Sequence, residues 1–253
     1  MKLCVLMPVF NEARFIGSAI ASIIAARRAL DIEIIVVDDG SIDATADIVK
    51  SIAETTPQIR LIRTANQGVS HTRNTLLAAI PTGCDYVTFL DGDDAFESGY
   101  LEKACKVLSA DPTLDLHYAQ LCLIESERQD MENEPRGESQ ISRSISMSIG
   151  IYRPTLLATV GAFDTSFTHG EDTDYLLRLF ELGPKAHLSN EIAVLYRQHG
   201  GGATKNKEAT SRGFARALMG HIRRRKLNPE LASVEGVFSI SQLGTALTNR
   251  RIL

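Results

Sequence analysis

The sequence predicts an α/β fold with a mostly parallel sheet. Short β-branched runs alternate with helical apolar patterns over the first hundred residues, and three of the strand ends carry clustered polar side chains. The composition agrees: of 253 residues, 44% are hydrophobic and 23% charged, with 27 basic against 31 acidic side chains and a net charge of −4. A chain of this length buries roughly 70–75% of its unfolded surface, so one large domain needs no disulfide or metal staple. Collagen, coiled coil, disorder and a disulfide scaffold are excluded. No apolar run approaches the ~18 residues that a bilayer-spanning helix requires. The stretch from Leu3 to Val9 is broken by Pro8, is followed by Asn11-Glu12 and lacks a small-residue cleavage site. It reads as a strand rather than a secretory signal, and the expected compartment is the cytoplasm. Cys4, Cys84, Cys105 and Cys122 lie singly, outside any C-x-x-C spacing, and read as reduced packing residues.

Taken in order, Lys2 to Met7 is a strand, and Ile16, Ile20, Ile23 and Ile24 recur at helical spacing between Arg14 and Leu30. Ile32 to Val37 is apolar on both faces apart from Glu33, as a central parallel strand covered by helices must be. A helix from about Asp43 turns Ile48, Val49 and Ile52 inward; a strand from Ile59 to Arg63, a helix from Val69 to Ala79 and a strand from Tyr86 to Leu90 follow. Beyond them, Leu101 to Leu108 has an amphipathic helical pattern and Leu114 to Ile124 a strand pattern. Glu125 to Ser144 is polar and aperiodic and reads as a mobile loop. Arg153 to Thr159 forms a short helix with Pro154 in its first turn, Glu171 to Leu182 a second helix, and Ile192 to Tyr196 a strand leading through Arg197-Gln198-His199 into the flexible Gly200-Gly201-Gly202. The tail from Glu208 is helical, with Arg223 to Lys226 closing one helix and Asn228-Pro229 opening the next.

Right-handed crossovers bring the ends of parallel strands to one rim. Phe10-Asn11-Glu12, Asp38-Asp39 and Asp91-Gly92-Asp93-Asp94 all stand there. Two carboxylates separated by one residue after a buried strand suit a hard divalent cation, magnesium or manganese, bridging phosphate oxygens, and Gly92 permits the tight turn. A plain acidic turn capping the helix that opens near Ser98 is the competing explanation. Of Asp38 and Asp39, adjacent acids that repel one another, a helix cap needs only one; the other is available to the imide of a uracil or thymine ring. Arg73, after Asn66-Gln67-Gly68, is a candidate for a diphosphate or base contact. Glu171 and Asp172 open a helix, where carboxylates are favoured by the macrodipole, yet they point in different directions. One of them can hold structural donors while the other removes a proton from an attacking hydroxyl. His199 is a candidate third metal ligand or phosphate contact.

This ordered set resembles the family 2 glycosyltransferases with the GT-A fold. The resemblance rests on Met7-Pro8-Val9-Phe10-Asn11-Glu12, Val36 to Ser41, Asn66-Gln67-Gly68 with Arg73-Asn74, Phe89 to Asp94, Val160 to Asp164, and Gly170-Glu171-Asp172 to Arg178. It covers about residues 1–200. It implies a three-layer α/β/α sandwich with a Rossmann-like sheet: a glycosyltransferase domain over 1–205, its nucleotide-binding half at 1–100 and its acceptor side at 101–205, followed by a helical extension at 206–253. The implied activity is inverting transfer of a sugar from a nucleotide diphosphosugar, a UDP-sugar favoured, to an acceptor hydroxyl in polysaccharide or glycoconjugate synthesis. Asp39 matches the base-binding position, while the backbone around Pro8, Val9 and Phe10, with Glu12, lines the nucleotide pocket; Gly68, Arg73, Asp91 and Gly92 complete it. Asp91 and Asp93 match the metal-binding pair for Mn2+ or Mg2+, Asp94 adds a third acid, and His199 resembles a late histidine that reaches the metal in some members. Asp172 matches the catalytic base and Glu171 its neighbour. A carbohydrate or lipid-linked glycan is the implied acceptor. Nucleic acid is not an expected partner, while peripheral contact with the inner face of a membrane, through the basic run at Arg223, and a homodimer are left open. The alternatives are a sugar nucleotidyltransferase, which would show a Gly-rich basic loop where Pro8 to Glu12 stand, and a catalytically silent nucleotide-sugar-binding protein.

Overall fold

In the computed structural model, residues 1–26, 29–126, 128, 140–200 and 207–238 are described. The first strand, β1 (Lys2–Val9), is buried at every position after Lys2, so helices must cover both its faces. Helix α1 (Ile16–Ala25) supplies Ile16, Ala19, Ile20 and Ile23 to one of them. Strands β2 (Asp31–Asp38) and β3 (Ile59–Arg63), helices α2 (Thr45–Thr55) and α3 (Val69–Ala78), and strand β4 (Tyr86–Phe89) complete the first half. Here β1 pairs in parallel with β2 and with β4, and β2 with β3, as the alternating pattern predicts.

The second half is mixed. It contains β5 (Ala95–Phe96), α4 (Tyr100–Ala110), β6 (Leu116–Glu125), β7 (Ile141–Ser142), a short 3-10 helix (Met147–Ile149), β8 (Gly150–Tyr152), α5 (Pro154–Val160), α6 (Glu171–Glu181), β9 (Ala186–Gln198) and α7 (Lys207–Leu227). The sheet runs β3-β2-β1-β4-β8-β6-β9-β5, with β7 added on β6. The junction between halves is the antiparallel pair β4·β8, where the buried Thr88 hydroxyl donates to the Gly150 carbonyl at 2.7 Å. Strands β6 and β9 pair in parallel through two register irregularities. One core runs through both halves, from Leu3 and Ile34 to Tyr118, Tyr152, Tyr175 and Leu179.

Four expectations change. The 125–144 stretch is not all loop: Glu125 ends β6 and Ile141–Ser142 is the strand β7 that pairs with it, while 127 and 129–139 lie outside the described residues. The strand read at Ile192–Tyr196 extends over 13 residues, Ala186–Gln198. Asn228-Pro229 forms a turn, not a helix start, with the Glu230 N–H donating to the Asn228 side chain at 3.2 Å. The acidic turn at Asp91–Asp94 caps no helix, because α4 starts from Gly99 with no side-chain cap. Gly201, Gly202 and the tail from 239 lie outside the described residues. Among the described residues no helix is long and apolar enough to cross a membrane.

Candidate active site

The loops after β1 and β2 are sewn together. The Ser41 hydroxyl accepts from the Asn11 N–H and the Asn11 side chain from the Ile42 N–H, at 2.8 and 2.9 Å. Asn11 takes a left-handed φ of 57°, which its short polar side chain tolerates. The Thr45 hydroxyl accepts from the Glu12 N–H at 2.8 Å. Both adjacent acids are buried, and their partners sort them: Asp38 accepts from the Ser41 N–H and the Arg63 guanidinium, so it is structural. The Asp39 carboxylate lies beneath the β3–α3 loop and accepts from the Gln67 and Gly68 N–H groups at 2.9 and 2.8 Å. Gly68, with φ of 91°, adopts the conformation that exposes its N–H to Asp39. The Pro8 and Val9 side chains are buried, so this part of β1 offers the rim only backbone, and the Val9 carbonyl is held by the Asp39 N–H at 2.9 Å; Phe10 is exposed.

The two-residue strand β5 pairs antiparallel with β9, Ala95 opposite Leu195. That pairing carries the turn after β4 to the end of β9, roughly a hundred residues on. Asp94, 1% exposed, accepts the Arg197 N–H at 2.9 Å, and the Arg197 guanidinium holds the Asp93 carbonyl at 2.8 Å. Burial, then Asp93 and Asp91, push the Asp94 carboxyl well above its ordinary pKa. His199 Nε2 stands 3.1 Å from an Asp93 oxygen, and its ring meets Phe15 edge-on at 4.7 Å. Glu12 faces them from the β1 loop: Glu12, Asp93 and His199 each bring one ligand atom within 4.8 Å of the others. Burial first, then the Asp93 and Asp91 charges, raise Glu12 to about 8, and burial with Asp91 raises Asp93. Two oxygens and an imidazole nitrogen suit Mn2+ better than the all-oxygen preference of Mg2+. Gly92 sits in close packing, since a Cβ there would stand 3.0 Å from the side chains of Glu12 and Val9.

The expected trio of Asp91, Asp93 and His199 is therefore brought together only in part. Asp91 Oδ1 is paired with Arg73 at 3.2 Å, and Glu12 takes the third place beside Asp93 and His199. Arg73 itself is an internal residue, its side chain 7% exposed, with one nitrogen on Asp91 and another on Glu171; it is not an open cationic contact for a diphosphate. The guanidinium also lies over the Phe163 ring at 5.7 Å. Helix α6 starts from Gly170 at φ of 78° with no side-chain cap, so Glu171 and Asp172 are not caps. They diverge as helix geometry requires: Glu171 is buried against Arg73, while Asp172 is partly buried and accepts the Thr173 N–H at 2.6 Å. Burial and the neighbouring Glu171 raise Asp172 to about 7, against the lowering influence of Arg73. A carboxylate at that value can take a proton near neutral pH.

Phe15 and Thr45 carry no signal in the sequence, and Arg197 shows there only as a residue of the strand end, because the parts of all three depend on pairing across distant elements. Asn74 was noted only beside Arg73; its side chain holds both the N–H and the carbonyl of Phe163, at 2.7 and 3.0 Å.

Comparison with known proteins bears on the fold and the family. The chain is 39% identical over 105 residues to the glycosyltransferase GlyA of Streptococcus pneumoniae, an alignment covering 42% of this chain and 15% of that protein. The chain thus spans only a small part of the curated relatives it matches first, 33% and 28% of the next two. Among solved structures, S. aureus TarS in complex with UDP-GlcNAc superposes with a TM-score of 0.66 at 18% identity, covering 87% of this chain and 66% of that one. The mannosyltransferase PcManGT of Pyrobaculum calidifontis, in complex with GDP-Man and Mn2+, does so at 0.67 and 23% identity, covering 87% and 64%. At such identities these likenesses establish the fold, which is that of the GT-A glycosyltransferases. The profile described as Glycosyl transferase family 2 matches residues 4–152, more than half the chain, and with the rim of acids that its segments build, the chain belongs to that family.

Proposed function

We propose that the chain is an inverting glycosyltransferase that takes its sugar from a nucleotide diphosphosugar, a UDP-sugar by preference, with a divalent cation. The first half offers the donor a rim made of the Pro8–Phe10 backbone, Glu12, Asp39, Gly68, Asp91 and Gly92. Glu12, Asp93 and His199 would hold the cation, which when bound neutralises the charge that grows on the departing diphosphate. Asp172 takes the proton of the acceptor hydroxyl as its oxygen bonds to the anomeric carbon; the bond from that carbon to the diphosphate oxygen breaks, and the nucleoside diphosphate leaves. Glu171 and Arg73 hold the start of α6 against the donor half through Asp91. The observation that carries this reading is the partly buried Asp172, raised to about 7, on the helix that Arg73 ties to the acidic turn.

A glycan, free or lipid-linked, fits as acceptor, and the exposed face near the end of α7, with Arg223 and Lys226 beside exposed Met219, Ile222 and Leu227, is the one we assign to an anionic membrane surface. The nucleotidyltransferase alternative lacks its basic glycine loop, since Pro8 to Glu12 occupy that place. The test is thermal shift with UDP-N-acetylglucosamine and GDP-mannose, with and without Mn2+, followed by turnover of Asp172→Asn. A donor at 100 times its Kd adds ~2.7 kcal/mol of stability. Asp172→Asn is expected to abolish release of nucleoside diphosphate while keeping the donor's thermal shift; turnover within about tenfold of the parent means that Asp172 is not the base. Donor binding with no release by the parent protein favours the silent reading.

A further inference from the structure

Helix α7 lies beyond residues 4–152, the segment that the family profile matches, yet it makes its closest approach at the start of α6. The backbones of Gly213 and Gly170 touch. A Cβ on Gly213 would stand 2.1 Å from the His169 carbonyl oxygen, and one on Gly170 2.7 Å from the Gly213 carbonyl carbon. Those obstacles are backbone, which no side-chain rotation relieves. Gly170 is also the residue whose carbonyl receives the Asp174 N–H at 3.1 Å, the first hydrogen bond of α6. A shift of Gly170 is thus passed directly to Glu171 and Asp172.

The contact continues at both ends of the segment. Toward the loop before α6, Arg216 donates to the Ser166 carbonyl and hydroxyl at 2.8 and 2.6 Å and lies over the Phe167 ring at 4.0 Å. Along α6, the Arg224 guanidinium reaches Asp174 at 3.1 Å and Glu181 at 2.7 and 2.9 Å, and His221 meets Glu181 at 2.6 Å. Ala217 and His221 are buried between the two helices. Asp174 and Glu181 are themselves buried; Arg178 also pairs with Asp174 at 2.9 Å, and Arg224 is the guanidinium that reaches both acids from α7. Asp172 lies between these two fixed points, Gly170 before it and Asp174 after it.

We propose that α7 is a clamp that sets the position of Asp172, with Gly213 and Arg224 as its positioning residues. The inference rests on the reading of Asp172 as the base. It extends the functional unit into a helix that makes none of the donor contacts assigned above. A displacement of Asp172 by about 1 Å is enough to cost roughly 100-fold in turnover, because proton removal requires the base within hydrogen-bond reach of the hydroxyl.

The experiment compares Gly213→Ala, Arg224→Ala and Arg224→Lys with the parent protein. Release of nucleoside diphosphate from UDP-N-acetylglucosamine and from GDP-mannose with Mn2+ is measured as kcat and KM, alongside donor thermal shift and near-ultraviolet circular dichroism. Gly213→Ala is expected to lower kcat at least tenfold with the donor's KM within twofold. Arg224→Ala acts in the same direction, and Arg224→Lys, which keeps the charge but not the fork, recovers part of the loss. A purely structural role lowers the melting temperature and leaves kcat per folded molecule unchanged. Folded Gly213→Ala with kcat within twofold of the parent overturns the clamp. If Gly213→Ala does not fold, the Arg224 pair decides: equal kcat in Arg224→Ala and the parent overturns it. Activity surviving in Asp172→Asn instead removes the base assignment, whereas a dead Asp172→Asn beside an active Gly213→Ala removes the clamp alone.

Discussion

Glu12 shows how one side chain changes meaning between sequence and structure. The motif resemblance places it in the nucleotide pocket, and the fold sets its carboxylate beside Asp93 and His199. Its pKa near 8, with Asp93 and Asp94 raised alongside, means that the folded protein binds protons more tightly than the unfolded chain. For acids raised on folding, stability is highest below their ordinary pKa and falls as pH climbs toward the folded value, here from about 4 to about 8. Without metal the protein is therefore expected to melt lower at pH 8 than at pH 6, by on the order of 1 kcal/mol, roughly 2–4 °C for a chain of this size. Mn2+ competes with those protons, so its stabilisation should be larger at pH 8 than at pH 6, and Glu12→Gln should reduce both effects. Melting curves across that range with Mn2+ or a chelator check this; a flat profile with no response to Mn2+ removes the three-residue metal site. At this scale the types of residue at the rim were legible, since clustered acids after buried strands have few other uses. Their assignments were less so: residue type alone leaves Asp38 and Asp39 equivalent, the resemblance singles out Asp39, and the Arg63 and Ser41 contacts show that Asp38 is structural while Asp39 faces the β3–α3 loop.

Among the elements, the helices and long strands of the first half follow directly from apolar periodicity, because each buries a full face or two. The short strands β5, β7 and β8 do not, since two or three residues carry no period. Yet β5 is what draws Asp93 to His199. Helix α3 is a case between these. Its apolar face is weakly patterned, and polar staples fix it to the second half: Asn74 to both backbone groups of Phe163, and the Ser70 hydroxyl to the Phe167 carbonyl at 3.0 Å. Asn74→Ala leaves two backbone groups of a buried residue without partners, at a cost of about 2 kcal/mol. In a chain of this size that lowers Tm by roughly 4–8 °C, measurable by calorimetry or urea titration. A change below about 0.5 kcal/mol would show that water replaces the amide and that the staple is not structural. Because Phe163 stacks on Tyr175 of α6 at 4.0 Å, Asn74→Ala should also loosen the helix that carries Asp172.

For the whole molecule, the question is what makes two differently built halves act on one substrate. The sheet joins them at the β4·β8 pair, but the chemistry is joined by Arg73, which stands on α3 of the donor half and pairs with Asp91 on one side and Glu171 of α6 on the other. Glu171, with its side chain 9% exposed, depends on that guanidinium for a counter-charge, whereas Asp91 is about a third exposed. Arg73→Met should therefore lower the unfolding free energy by about 3–5 kcal/mol, the usual cost of breaking a buried ion pair from one side. A second consequence separates this bridge from simple packing. Arg73 lowers the pKa of Asp172, against burial and Glu171, which raise it to about 7. A base must be deprotonated to act, so the acid limb of the kcat profile should lie near pH 7 in the parent protein. Removing the guanidinium takes away the larger of the two influences that favour the charged carboxylate, the Thr173 N–H being the other, and the limb should move to higher pH in Arg73→Met, while Arg73→Lys, still cationic, should stay closer to the parent. A limb that does not move in folded Arg73→Met would mean that Asp172 does not feel the bridge, and that the halves communicate through the sheet alone.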